Sequence, residues 1–134
     1  MIDIENEVFT QIAAKLREEF NGISVYGEYT KAPAKFPAVS IEEKANTVYQ
    51  RTQDSGNIEN HASLMYEVNV YSNKKSGKKS ECKDIFSVID DEFSAMGFTR
   101  ILKDTIPNLE DATIYRMIGR YTAIVSKENE IIRR

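Results

Sequence analysis

Tryptophan is absent from this chain of 134 residues, and histidine and cysteine occur once each. Each scarcity removes a class of chemistry. A lone Cys82 allows no intrachain disulfide and fits a reducing compartment, and its place in an apolar helical pattern gives it the role of a small hydrophobe. A lone His61 excludes every site that needs two imidazoles, and it has no evident partner as a base or ligand. Neither sign of charge is in large excess, with 18 basic and 21 acidic residues and a net charge of −3, so the chain offers nucleic-acid phosphates no general attraction. No apolar run reaches the roughly 18 residues of a membrane span, and Met1-Ile2-Asp3-Ile4-Glu5 has no basic leader. The expectation is a soluble, cytoplasmic protein with no membrane partner.

What is present is ordinary globular material: 41% hydrophobic and 29% charged residues, well away from the disordered regime. The length fits one domain over residues 1–134, large enough to bury roughly two thirds of its unfolded surface without a metal or disulfide. Ile4, Val8, Ile12, Leu16 and Phe20 recur every fourth residue and predict an amphipathic helix over 3–20, with Asp3 as N-cap and Asn21-Gly22 as its stop. Short β-prone stretches follow at Ile23 to Tyr29, Ala38 to Glu43 and Thr47 to Arg51, interrupted by Pro33 and Pro37. Gln53 to Asn57 has the composition of an exposed hairpin tip.

Leu64, Tyr66, Val68 and Val70 alternate with more polar neighbours, the two-residue period of a strand with one apolar face. Ser72 to Lys79 is a polar connector carrying four lysines. Ser80 then reads as the N-cap of a second helix over 80–96, whose apolar face is Cys82, Ile85, Phe86, Ile89, Phe93 and Met96. Gly97 supplies a left-handed stop, Thr99 to Ile106 and Thr113 to Ser126 read as strands, and Lys127 to Arg134 as a fraying end. The expected class is α+β, a largely antiparallel sheet packed against two main helices.

Motifs for chemistry are missing. Asp90-Asp91-Glu92 lie on consecutive helical positions about 100° apart, so the carboxylates fan outward and read as a solvated face. The lysine-rich connector lacks both the P-loop and the dinucleotide-binding glycine patterns and reads as an electrostatic docking patch. No catalytic residue, cofactor or metal ligand is assigned. Seven tyrosines point instead to contact surface, Tyr71 foremost, because it lies on the strand face opposite Tyr66. The candidate interface residues are Arg51 and Asp54 in one polar extension, Lys74, Lys75, Lys78 and Lys79 in the other, and Tyr71.

Taken together, Tyr66-Glu67-Val68-Asn69-Val70-Tyr71-Ser72-Asn73, the Lys/Gly/Ser connector, Cys82-Lys83-Asp84-Ile85, Asp90, Phe93, Met96 and Gly97-Phe98-Thr99-Arg100 resemble the tail terminator, or tail completion, proteins of long-tailed bacteriophages and prophages. The resemblance extends to the N-terminal helix, to Phe36-Pro37-Ala38-Val39 and to the closing strand over 116–122. It implies a non-enzymatic subunit that forms a homo-oligomeric, commonly hexameric, ring. Such a ring caps the tail tube protein, later joins the head-tail connector protein, and leaves a channel through which DNA passes without specific binding. The implied location is the virion tail, with assembly in the host cytoplasm. The alternatives are another minor tail or head-tail connector protein, a host module binding a small ligand or a protein, and, last, an enzyme.

Overall fold

The computed structural model describes residues 1–30, 33–49, 60–107 and 111–132. Eight elements follow one another: α1 (Glu5–Glu19), β1 (Ser24–Tyr26), β2 (Ala38–Val48), β3 (His61–Ser72), α2 (Lys78–Met96), β4 (Thr99–Thr105), β5 (Tyr115–Ser126) and β6 (Ile131–Ile132). The sheet runs β1-β2-β3-β5-β4, with β6 adding to the end of β5. Among the described residues β1 and β2 pair in parallel and the other neighbouring strands are antiparallel. The α+β class holds.

Both helices cover one face of the sheet. The predicted stripe of α1 is buried at Val8, Ile12, Ala13 and Leu16, and that of α2 at Cys82, Ile85, Phe86, Ile89 and Phe93. The helices are antiparallel: Gln11 of α1 donates its amide to Glu92 of α2 at 3.1 Å, while Phe20, beyond the end of α1, lies beside Gly77 at the start of α2. Opposite them, Leu64, Tyr66 and Val68 of β3 and Tyr121 and Val125 of β5 fill the same core. Aromatic rings fix its centre. Phe93 stacks on Tyr121 at 4.1 Å and meets Phe98 edge-on at 5.1 Å. Gly119 is required there, because a Cβ would stand 2.5 Å from the Phe86 ring.

Several boundaries differ from the sequence expectation for local reasons. Ala38–Val48 is one strand with a bulge between Glu43 and Ala45, where the extra residue Lys44 mimicked a break between two strands. Helix α2 begins earlier, because Gly77 adopts φ 86° and caps it by backbone conformation, which leaves Ser80 inside the first turn. Ile4, not Asp3, is the N-cap of α1, although the Asp3 carboxylate does accept from the Glu5 amide at 3.0 Å. Gly97 ends α2 at φ 103°, with the Phe98 amide bonded back to the Phe93 carbonyl at 2.9 Å, the expected left-handed stop. The end expected to fray instead turns at Asn129 and returns as β6, pairing Ile131 and Ile132 with Val125 and Ile124. Gln53 to Asn57, expected as a hairpin tip, lies outside the described residues.

Candidate protein interface

The sheet face away from the helices carries the more polar side of the alternating pattern, and β3 is nevertheless buried without interruption from Tyr66 to Ser72, in line with tyrosines on both of its faces. At one end a second small core explains this: Tyr71 packs with Ala38 and Ile114, and Tyr26 and Phe36 close over it. The Tyr71 hydroxyl donates to the Thr30 carbonyl at 2.9 Å, and the Arg116 guanidinium lies 5.3 Å from the Tyr29 ring and 5.9 Å from the Tyr71 ring. Burial pushes the phenol up to about 12. This corrects the expectation that Tyr71 is an interface residue. The residue is only 1% exposed and serves the subunit's own packing, because Tyr26 and Phe36 close over it.

The middle of this outer face carries a charge network. Glu67 and Arg120 stand directly opposite each other on β3 and β5. The Glu67 Oε1 accepts from Arg120 Nε at 3.1 Å and Nη2 at 3.0 Å, and Lys44 Nζ lies 3.9 Å from Oε2. Arg116 Nε donates to the Asn69 amide oxygen at 2.9 Å. The Glu67 side chain is only 7% exposed, so its charge is neutralised locally and is not a free docking group. Sequence reading missed this pair. Its signal was a glutamate and an arginine on the polar face of two strands that prove to be neighbours, which only strand order reveals.

At the far end a groove of about 330 Å³ is lined by Tyr49, Ser63, Ile101, Thr122, Ile124 and Ile132. Its rim is β4, where every residue is exposed, Ile101 by 54%. The free edge of β4 is blunted against strand addition. A bulge separates Arg100 from Leu102, charged Lys103 and Asp104 follow, and the Thr105 amide is taken by the Asp104 carboxylate at 2.8 Å. What β4 offers a partner is a mixed row of side chains, Ile101 and Leu102 among them, and not backbone pairing.

The lysine connector lies at the other end of the molecule. Lys74, Lys75 and Lys79 are exposed and Lys78 is half-buried, all beside the N-terminus of α2. Arg51 and Asp54 lie outside the described residues. Asp90-Asp91-Glu92 fans as expected: Asp90 accepts from Tyr121 at 2.8 Å and Arg100 at 3.1 Å, Glu92 accepts from Gln11, and Asp91 is exposed. Among the described residues no group of three or more acids, histidines or cysteines is placed to hold a metal. Cys82 is buried, its thiol donating to the Val70 and Tyr115 carbonyls at 3.8 Å, and burial raises its pKa to about 12, which suits packing and not nucleophilic chemistry. No described helix is long and apolar enough to cross a membrane.

No family model matches the chain, and no curated protein matches its sequence. Among solved structures, the fold is similar to a chain from the virion of a native gene transfer agent particle, with a TM-score of 0.67 and 17% identity. The likeness covers 92% of this chain and 94% of that one, so it takes in the whole domain and not a shared fragment.

Proposed function

We propose that this protein is a structural subunit of a phage-like particle, and that within the particle it acts as a tail terminator. The observation that carries the coarser reading is the end-to-end likeness of its fold to a chain of a gene transfer agent virion. The finer reading adds the sequence resemblance over residues 66–100 and surfaces suited to assembly: an exposed β4 bearing Ile101 and Leu102, with its groove, at one end and a cluster of lysines at the other. In this role the subunits close into a homo-oligomeric, hexameric ring. One side of the ring caps the tail tube protein and the other meets the head-tail connector protein, with DNA passing through the channel unread. The work is done by complementary surfaces without catalysis or a cofactor, in the virion tail after assembly in the host cytoplasm.

Native mass measurement together with negative-stain imaging, over a range of protein concentration and with and without assembled tail tubes, tests this reading. The expected result is a closed ring, free or as density on one end of each tube. A protein that stays monomeric and leaves both tube ends bare would refute it.

A further inference from the structure

The charges of α2 run against its own helix dipole. The partial positive charge at a helix N-terminus favours acids there and bases at the C-terminus. Here Lys78 and Lys79 open the helix, preceded by Lys74 and Lys75, and the last turn has no basic residue. Asp91 and Glu92 instead lie toward the C-terminal end. Glu81 does sit in the first turn, but it is turned inward and accepts from the Ser72 hydroxyl at 2.7 Å. The N-terminal end is therefore charged in the sense that costs the isolated helix stability, and the last turn, residues 93–96, carries no charge to offset it.

Because α1 is antiparallel to α2, its acidic start joins the same end as Asp91 and Glu92. Glu7 lies in the groove between the two helices beside Gln11, whose amide reaches Glu92. The helix layer thus has an acidic pole (Glu7, Asp91, Glu92) and a basic pole (Lys74, Lys75, Lys79, with Lys78 behind). Lys79 and Asp91 are separated by 12 helical positions, about 18 Å along the axis. Among the described residues no salt bridge engages Lys74, Lys75, Lys79, Glu7 or Asp91. Glu81 and Asp84 lie near the basic pole, Asp111 feels the charge of Lys78, and Lys15 feels that of Glu92 at the other end, so each pole is partly offset and keeps an excess of its own sign.

We propose that the basic pole of one subunit docks on the acidic pole of a second copy of this chain, giving a head-to-tail contact. The occupant follows from charge complementarity: among the described residues lysines are in excess at one pole and carboxylates at the other, and the matching excess is carried by every other copy. Such a contact is heterologous, so it leads to a closed ring or an open filament and not to a two-fold dimer. The proposal rests on the reading of the chain as a self-assembling particle subunit and names the surfaces that assemble.

The test uses the full chain and two charge-reversed variants, one with Lys74, Lys75, Lys78 and Lys79 all changed to Glu, the other with Glu7→Lys, Asp91→Lys and Glu92→Lys. Assembly is read by sedimentation and native mass, free and on tail tubes, with circular dichroism and thermal melting as the check on folding. The parent should assemble on the order of tenfold more weakly at high than at low salt. Each variant alone should fold but stay monomeric, and an equal mixture of the two should recover assemblies in which the variants alternate. Recovery in the mixture cannot come from misfolded chains. Parent rings with single variants that also form rings would overturn the pole contact while leaving the terminator reading intact. A mixture that stays monomeric would overturn the contact too, and a parent that never self-associates, even on tube ends, would remove both.

Discussion

Gly119 is the residue at which the core tolerates least. A Cβ there would stand 2.5 Å from one Phe86 ring atom and 2.6 Å from another, and the ring is held by a buried helix face. Gly119→Ala should therefore cost about 1–3 kcal/mol, visible as a lower urea midpoint at unchanged slope. On the opposite face, removing Arg120 strands a buried carboxylate. Arg120→Met should cost about 1–3 kcal/mol, and changing Glu67→Leu in the same chain should restore most of it. A double-mutant cycle measures the difference. Burial, opposed by the Tyr66 hydroxyl bond and reinforced by the charge of Glu5, raises the carboxyl of Glu43 above its ordinary 4.5. The folded chain thus holds this proton more tightly than the unfolded one. Stability from this group rises as pH falls through the folded value and levels off below about 4.5. Glu43→Gln should flatten that part of the profile, a result read from urea midpoints of parent and variant between neutrality and mild acid.

At the scale of elements, α2 and its stop were the most legible part of the chain. Six apolar positions at helical spacing, followed by Gly97-Phe98, define both a buried face and an end, and the structure has both. Gly97→Ala should cost about 1 kcal/mol through its φ of 103°, with a melting temperature lower by several degrees. Phe93→Ala should cost about 3–5 kcal/mol, since the ring is fully buried between Tyr121 and Phe98. Strands were legible as segments but not as partners. Nothing local tells β5 to insert between β3 and β4, and that order alone makes Glu67 and Arg120 neighbours. Tyr71 was misread for the same reason. Its alternation places it on the outer face, and the segment that covers that face comes from before β2, held by a hydroxyl-to-carbonyl bond spanning 41 residues.

For the whole molecule, the fold was legible as a class, and the charged surface only in part. Helix-strand-helix-strand order and two apolar stripes suffice for a layered α+β domain. The lysine connector was recognisable from its composition, but its acidic counterpart emerged only when α1 and α2 proved antiparallel. Assembly should accordingly be salt-sensitive while the fold is not: raising ionic strength should change the sedimentation of the protein far more than its melting temperature, because the core is apolar and the poles are exposed. The polarised helix layer also gives each subunit a heading. Units that join by unlike ends all point the same way around a circle, so a circle of them is clockwise from one side and anticlockwise from the other. Its two flat sides are then different objects, and two different neighbours can be seated on them without either being able to take the other's place.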